Sequence, residues 1–274
     1  MKQHPIGVFD SGYGGLTVLK EIVALLPQYD YIYLGDNARA PYGTRSFETV
    51  YEYTWQSLQW FFNQGCQLVI LACNTASAKA LRSIQQNNLS ATGPVNRVLG
   101  VIRPTAEVVG SLSTTKHIGL FATPGTVQSG SYPIEIGKVS PEITLTQEAC
   151  PRWVPLIENN EHNSPDSNDF IEKHVVNLLN QDAHIDTILL ACTHYPLLSE
   201  QIHKYLPRGI QLISQGQIVA ASLKEYFTRH TNLSANLSVG GNRQFYTTGD
   251  VADFNLHAPA FYGEDITAAH IILP

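Results

Sequence analysis

The chain has 274 residues, of which 43% are hydrophobic and 15% charged, and its net charge is −6 with an isoelectric point near 5.9. This composition is typical of a globular protein with one large or two small domains. The acidic balance argues against a nucleic-acid surface, and no apolar run approaches the roughly 20 residues of a membrane helix. The N-terminal MKQHPIGVFD has too short an apolar region for a signal peptide, so we expect a cytoplasmic protein with reduced cysteines.

Short apolar runs alternate with longer amphipathic stretches along the chain. Predicted strands cover residues 5–10, 31–36, 67–73, 97–102, 117–122, 187–192, 211–214 and 243–248. The clearest predicted helix covers residues 46–64, with Ser46 as its cap and large apolar residues at helical spacing. This alternation predicts an α/β protein with mainly parallel sheets, whose ligands bind at the carboxyl ends of the strands. Residues 159–169 are the most polar stretch and predict a surface loop.

A glycine-rich stretch, VFDSGYGGLTV at 8–18, follows the first predicted strand. Its spacing resembles that of a phosphate-binding loop, but the carboxylate of Asp10 would repel a polyphosphate. Two interpretations stay open from the residues alone: an altered nucleotide loop, or a loop that holds something other than phosphate.

Two pairs of similar segments indicate an internal repeat. IGVFDSG at 6–12 aligns with IGLFATPG at 118–125, and VILACNT at 69–75 aligns with ILLACTH at 188–194. Two matches in the same order favour a duplicated unit, which predicts two pseudosymmetric α/β domains facing each other across a cleft. We predict a first domain of residues 1–98 plus 209–274 and a second of residues 99–208.

The chain has four cysteines and no Cys-x-x-Cys spacing, which argues against zinc and thioredoxin-like sites. We interpret Cys66 as a small buried hydrophobic residue. Cys73 and Cys192 instead end apolar strands and precede polar residues at predicted helix starts, where backbone amides and the helix dipole favour a thiolate. Two thiols on opposite sides of a cleft suit a racemase without a cofactor, because one can remove a proton from carbon while the other returns a proton to the opposite face.

The sequence resembles the bacterial glutamate racemases over essentially its whole length. The resemblance rests on FDSGYGGLTV (9–18), GDNARAPYG (35–43), ACNTASA (72–78), TPGTVQSGSY (123–132), ACPRWVPLIE (149–158), ACTHYPLL (191–198) and TTGD (247–250). It implies an isomerase that interconverts L- and D-glutamate without cofactor or metal, with its active site in the cleft between two domains. It also implies a supply of D-glutamate for peptidoglycan, and so a role in cell wall biogenesis and cell shape. One departure is LISQG at 212–216, where the family commonly has Asp in place of Ser214 or Gln215; we interpret this position as structural.

The resemblance also implies catalytic roles. Cys73 and Cys192 would be the two bases. Asp10, at the edge of the glycine-rich loop, would assist Cys73. The second repeat has alanine in place of this carboxylate, and His194 would assist Cys192 with its imidazole oriented by Glu158. The predicted site is therefore symmetric in its thiols and asymmetric in their helpers.

The substrate needs donors for two carboxylates and an acceptor for an ammonium group. Hydroxyls, amides and the N–H groups at helix starts supply donors, and Asp10 can face the ammonium group. Arg39 is the only cation near a motif that could bind the side-chain carboxylate of the substrate. A solvent-exposed arginine without that role is an equally good interpretation. The expected substrate-binding residues are Asp10, Ser11, Tyr42, Gly43, Asn74, Thr75, Thr193 and His194.

Other interpretations stay open. A related racemase for aspartate or another amino acid is the nearest, because specificity depends on the length of the cleft. A binding protein of the periplasmic type also has two α/β lobes, although the thiol pair and the lack of a signal peptide oppose it. A second, non-enzymatic role gets no support from the charge of the chain. We expect a small-molecule partner, no nucleic acid and no membrane, and the resemblance leaves a homodimer open.

Overall fold

The structure, a computed structural model, describes residues 4–162 and 164–273. Within these residues the strands form two sheets in which every neighbouring pair is parallel. This confirms the predicted α/β class with mainly parallel sheets. The strands are β1 (Ile6–Asp10), β2 (Tyr31–Gly35), β3 (Leu68–Leu71), β4 (Arg97–Gly100), β5 (His117–Ala122), β6 (Thr144–Ala149), β7 (Thr187–Ala191), β8 (Gln211–Ser214), β9 (Arg243–Thr247) and β10 (Ala268–His270).

Helices separate most of the strands and cover both faces of the sheets. Two short 3₁₀ helices lie at Asn37–Arg39 and Tyr195–Leu198. The α-helices are α1 (Leu16–Leu25), α2 (Phe47–Asn63), α3 (Asn74–Lys79), α4 (Leu81–Asn87), α5 (Leu89–Thr92), α6 (Ile102–Leu112), α7 (Pro124–Gln128), α8 (Ser131–Val139), α9 (Trp153–Glu158), α10 (Pro165–Gln181), α11 (Ser199–Tyr205), α12 (Gly216–Arg229), α13 (Thr231–Ser234) and α14 (Val251–Tyr262).

The two sheets share a strand order that matches the sequence repeat. The order is β10-β9-β2-β1-β3-β4 in the larger sheet and β6-β5-β7-β8 in the smaller. In each sheet the first strand of the repeat lies between the second and third, and the fourth lies beyond the third. The repeated segments are the central strands, β1 with β5 and β3 with β7. Their carboxyl ends therefore bring equivalent residues to equivalent edges of the two sheets.

The strand predictions hold for the buried strands and for the edge strands β4 and β8, but they miss two other edge strands. All eight predicted strands are present, and β1, β2 and β7 are buried along their whole length. Parallel sheets covered on both faces produce such continuous apolar runs. The sequence prediction missed β6 and β10, which both lie at sheet edges. The β6 sequence, TLTQEA, is only partly buried and lacks an apolar run.

The loop predicted at residues 159–169 is wrong from Pro165 onward, because α10 begins there. The Ser164 hydroxyl accepts a hydrogen bond from the backbone N–H of Ser167 at 3.3 Å, which caps the helix. A proline at the first helical position has its φ angle already suited to the helix. Ile171 and Val175, one turn apart, are fully buried and pack the helix against the core. Asn163 lies outside the described residues.

The division into domains 1–98 plus 209–274 and 99–208 stays a prediction. The two sheets bear on its bounds. Strand β4 runs to Gly100 and pairs with β3 in the larger sheet, whereas β8 pairs with β7 in the smaller. We propose bounds that follow the sheets, one after β4 and one after β8.

Aromatic residues fill much of the interior on which the site rests. Phe121 and Trp153 lie with ring centroids 4.9 Å apart under the end of β5. Trp153 also contacts Tyr195 edge-on at 4.9 Å, so the chain after β7 rests on the same cluster. Fully buried aromatic packing of this kind holds strand ends rigidly. Across the described residues, no helix combines the length and apolar character needed to cross a membrane.

Candidate active site

One cavity lies at the carboxyl ends of the central strands, between elements of both sheets. Almost the whole predicted set of site residues lines it; the exception is Asp10, which lies beneath the cavity at the end of β1. The predicted residues that line it are Ser11, Tyr42, Gly43, Cys73, Asn74, Thr75, Glu158, Cys192, Thr193 and His194. Residues separated by more than a hundred positions in the chain are thus neighbours at one edge.

The two thiols follow the equivalent strands β3 and β7. Both are nearly buried, with 6% of each residue exposed. Cys73 is the N-cap of α3, and its sulfur accepts a hydrogen bond from the backbone N–H of Ala76 at 3.4 Å. Cys192 lies three residues before a single 3₁₀ turn that begins at Tyr195, not at the start of an α-helix. The predicted helix start is therefore found at Cys73, and Cys192 gains no α-helix dipole.

The Cys73 thiol is held in its protonated form. It donates to the hydroxyl of Ser11 at 3.6 Å. Burial raises the pKa of Cys73 to about 12, and the nearby charge of Asp10 adds to this rise. The hydrogen bonds that Cys73 makes with Ala76 and Ser11 oppose the rise without cancelling it. At neutral pH this side of the cavity therefore presents a proton donor.

Asp10 is fully buried at the end of β1 and is bonded toward the opposite thiol. Its Oδ1 accepts the N–H of Gly12 at 3.0 Å, and its Oδ2 accepts the hydroxyl of Thr193 at 3.3 Å. Burial raises the pKa of Asp10, while the charge of His194 and these hydrogen bonds lower it in part. Among the described contacts, Asp10 thus bonds to the residue after Cys192. Its predicted link to Cys73 is electrostatic.

On the other side, a histidine bridges a thiol and a carboxylate. His194 Nδ1 lies 3.9 Å from the Cys192 sulfur, and its Nε2 lies 2.9 Å from Glu158 Oε1. Burial lowers the pKa of His194, but its contacts with Cys192 and Glu158 outweigh burial and hold it well above its usual range. The imidazole is therefore positively charged at neutral pH. Phe261 packs edge-on against the ring, with centroids 5.3 Å apart, and limits its rotation.

The structure explains the glycine-rich loop. A Cβ atom on Gly14 would lie 2.3 Å from Thr193 Oγ1 and 2.4 Å from His194 Nδ1. A Cβ atom on Gly15 would lie 2.5 Å from the Cβ of Asp10. Real Cβ contacts essentially never come this close, so the glycines leave room for the side chains of Thr193, His194 and Asp10. The loop therefore packs against protein side chains, those of Asp10, Thr193 and His194, instead of holding phosphate.

Two contacts join the halves over the cavity. The hydroxyls of Thr75 and Thr123 lie 2.9 Å apart, and the N–H of Gly125 donates to the carbonyl of Gly43 at 2.8 Å. Thr75 is on α3, whereas Thr123 follows β5. Sequence analysis did not select Thr123, although it stands in the repeat where Ser11 stands in the first half. The repeat alignment was the signal that could have found it.

The buried carboxylate of Asp36 holds two side chains of the GDNARAPYG motif. It accepts the Nε–H of Arg39 at 2.7 Å and the hydroxyl of Tyr42. Thr248 also donates to it, at 2.7 Å. The interpretation of Arg39 as a solvated residue is wrong, because only 21% of its side chain is exposed and it is ion-paired. Arg39 is also absent from the residues that line the cavity.

The described residues contain no group of three or more His, Cys, Asp or Glu side chains that could hold a metal ion. The ionisable groups around the cavity are instead arranged in pairs. The hydrogen-bonded pair of Glu158 and His194 lies on one side, and the thiol of Cys73 with its hydroxyl partner lies on the other. This arrangement can exchange protons at two opposed positions of a bound molecule.

Comparison with known proteins relates the whole chain to one group. The family model described as Asp/Glu/Hydantoin racemase matches residues 6–223. The glutamate racemase of Ruegeria sp. (strain TM1040) is 38% identical over 272 residues, covering 96% of this chain and 98% of that protein. The glutamate racemase of Streptococcus suis is 34% identical over 273 residues and covers 100% of both chains.

Comparison with solved structures points to the same group of proteins. Glutamate racemase isoform RacE1 from Bacillus anthracis superposes with a TM-score of 0.90 at 32% identity, covering 100% of this chain and 99% of that one. The Francisella tularensis glutamate racemase in complex with D-glutamate gives 0.87 at 30% identity, covering 99% and 98%. An aspartate racemase from Picrophilus torridus gives 0.54 at 20% identity, covering 84% and 98%, and shows a shared fold alone.

Proposed function

The chain belongs to the Asp/Glu/hydantoin racemase family, and we propose that it is an isomerase that interconverts L- and D-glutamate by a two-base mechanism on Cys73 and Cys192. The observation that carries the proposal is the placement of two nearly buried thiols, from equivalent strands of a repeated fold, in one cavity. The full-length relatives named above are glutamate racemases, which favours glutamate over aspartate as the substrate.

The proposed reaction in the L-to-D direction begins on the Cys192 side. The thiolate of Cys192 takes the Cα proton of L-glutamate and becomes a thiol, and the electron pair of the broken C–H bond stays on Cα. The thiol of Cys73 then gives its proton to the opposite face of Cα, which forms D-glutamate and leaves a Cys73 thiolate. The reverse reaction exchanges these roles. Protons and charge balance in each direction without a further reactant.

The protonation states of Cys73 and His194 support this assignment. The raised pKa of Cys73 keeps it a proton donor, and the charged imidazole of His194 places a positive charge 3.9 Å from the sulfur of Cys192. A cation beside a sulfur favours its thiolate. Glu158 maintains this cation and orients the ring through Nε2. We propose that Asp10 makes proton loss from Cys73 possible in the reverse direction, acting with the hydroxyl of Ser11, which accepts a hydrogen bond from the Cys73 thiol.

The remaining predicted residues form the proposed substrate site. Hydroxyl and backbone N–H donors at the ends of β1, β3 and β7 suit the two carboxylates of glutamate. Asp10 provides an anionic acceptor beneath the cavity for the ammonium group. The proposed substrate-binding residues are Asp10, Ser11, Tyr42, Gly43, Asn74, Thr75, Thr193 and His194.

In the cell, this activity would supply D-glutamate for peptidoglycan and so serve cell wall biogenesis and cell shape. We place the protein in the cytoplasm, where peptidoglycan precursors are assembled and thiols stay reduced. A homodimer is part of the proposal as the assembly state. Size-exclusion chromatography with light scattering tests it, and a mass near the 30.2 kDa of one chain would contradict it.

Incubation with L-glutamate in D₂O, without added cofactor, tests the reaction. Circular dichroism should decay to zero as the enantiomers equilibrate, and mass spectrometry should find one deuterium at Cα of the product. A thiol exchanges its proton with solvent between turnovers, which is the reason for the label. Product that retains the original Cα proton in full would sink the two-base mechanism. L-Aspartate in a parallel incubation tests specificity, and faster loss of its signal would favour the aspartate alternative.

Serine substitutions test the assignment of the two thiols. Cys73→Ser and Cys192→Ser should each abolish full racemisation while D-glutamate still binds, because a hydroxyl keeps the shape but is a far weaker acid. Cys66→Ser is the matched control: Cys66 is equally buried but lies outside the cavity, so its kcat should stay within a few-fold. Near wild-type turnover by either variant of the pair would refute the assignment.

A further inference from the structure

A closed ring of hydrogen bonds holds the amide of Asn74. The Nδ2 of Asn74 donates to Gln215 Oε1 at 2.7 Å, and the hydroxyl of Tyr132 donates to Asn74 Oδ1 at 2.6 Å. The ring closes where Gln215 Nε2 donates to the Tyr132 oxygen at 2.7 Å. All three side chains are buried. None of these bonds joins residues close in the chain, so folding alone brings the ring together.

The direction of every bond in the ring is set from outside it. The hydroxyl of Thr105 donates to the carbonyl of Val101 at 2.7 Å, so its oxygen must accept from Gln215, at 2.8 Å. This turns the Nε2 end of Gln215 toward Thr105 and its Oε1 end toward Asn74. A fixed carbonyl acceptor therefore dictates which end of the Asn74 amide faces which partner.

The ring spans elements of both sheets. Asn74 is the first residue of α3, directly after Cys73 and the larger sheet's β3. Gln215 follows β8 of the smaller sheet and precedes α12, and Tyr132 lies on α8. The ring thus ties the start of the helix that carries one thiol to the opposite half of the protein. Of these three residues, only Asn74 lines the active-site cavity.

The ring uses one N–H group and one lone pair of the Asn74 amide, so the bonds of the ring leave the second N–H of this cavity-lining residue without a partner. We infer that Gln215 is a positioning residue that sets the polarity of Asn74, so that this N–H donates to a carboxylate of bound glutamate. An amide turned the other way would aim its carbonyl oxygen at that carboxylate and repel it. The inference rests on the proposed function. It gives a role to Gln215, which lies in the segment where the sequence departs from its family.

The test is a double-mutant cycle on the full-length enzyme, with Gln215→Leu, Asn74→Ala and the double variant. Gln215→Leu should raise KM for both enantiomers about 10- to 150-fold with a much smaller change in kcat, since a hydrogen bond to a charged group is worth about 1.5–3 kcal/mol. The double variant should be no worse than Asn74→Ala alone, because Gln215 acts through Asn74. Gln201→Leu, a buried glutamine on α11 outside the cavity, is the matched control and should leave both constants unchanged.

Each outcome bears on a distinct claim. Losses that multiply in the double variant would overturn the inference, because a merely structural role of Gln215 adds to the loss of Asn74. Should Gln215→Leu fold poorly, Tyr132→Phe removes the donor to Asn74 Oδ1 and should raise KM in the same way. Calorimetric Kd values for D-glutamate repeat the cycle without turnover. A wild type that binds but does not racemise glutamate would refute the proposed function, while its Kd cycle would still decide the role of Gln215.

Discussion

The substitution Gly14→Ala tests whether the glycine-rich loop must pack closely against Thr193 and His194, the two residues that follow Cys192. The added Cβ would lie 2.3 Å from Thr193 Oγ1, 2.4 Å from His194 Nδ1 and 2.6 Å from His194 Cε1. None of these atoms is the free end of a long side chain. The imidazole is also held by Glu158 and Phe261, so it cannot turn aside cheaply.

The size of the effect follows from the missing space. Ordinary contact begins at 3.4 Å, so the loop or the imidazole must move by about 1 Å to relieve the overlap. A misplacement of about 1 Å at a catalytic group can lower a rate about 10²-fold. Gly14→Ala should therefore lower kcat/KM about 100-fold. Because free L- and D-glutamate have equal energy, the loss must be the same in both directions.

Circular dichroism measures both directions from either pure enantiomer. The control is Gly137→Ala, since a Cβ there would meet nothing within 4 Å. That variant should keep full activity and gain about 0.5–1 kcal/mol of stability, because alanine replaces glycine within α8. Gly14→Ala activity within twofold of wild type would refute the argument, since it would mean that the loop yields without disturbing His194.

Three further predictions concern the helpers of the thiols. Asp10→Asn should raise the melting temperature at pH 7, while kcat falls about 10²–10⁴-fold. The pKa of Asp10 is higher in the folded than in the unfolded protein. The protonated carboxyl therefore stabilises the fold at acid pH, and this stabilisation is lost as the carboxyl ionises with rising pH. Calorimetry should find the gain disappearing near pH 3, and a lower melting temperature at pH 7 would contradict the reasoning. Glu158→Gln should lower the pKa of His194, so that activity dependent on the charged imidazole is lost at lower pH than in wild type; an unmoved alkaline limb in kcat/KM would argue against this. Asp10→Asn and His194→Asn should enlarge the isotope effects of different enantiomers deuterated at Cα, the first for D-glutamate through Cys73 and the second for L-glutamate through Cys192. Indistinguishable patterns would show that the two helpers do not divide the work.

Local sequence patterns predicted much of the fold. Continuous apolar runs such as that of β7 mark strands buried on both faces, and the capping serine at 46 placed the start of α2 to within a residue. The repeat anticipated the shared strand order, because equivalent strands need equivalent sequences. Edge strand β6 was not predicted because it is only partly buried and lacks an apolar run. The start of α10 was predicted as a loop because its first turn is polar and its buried apolar residues come later.

The sequence by itself determined the kind of chemistry: two cysteines after similar strands, with different helpers beside them, are visible without coordinates. Tertiary structure decided the contacts that tune those groups. The bond from Asp10 to Thr193 crosses 183 positions of the chain, and that from Asn74 to Gln215 crosses 141. The buried carboxylate of Asp36, which pairs locally with Arg39, also accepts a hydrogen bond from Thr248, 212 positions away in the chain. The protonation state of a group depends on its burial and on the charges near it in space, so the state that makes Cys73 a proton donor arises only when both sheets meet around the cavity.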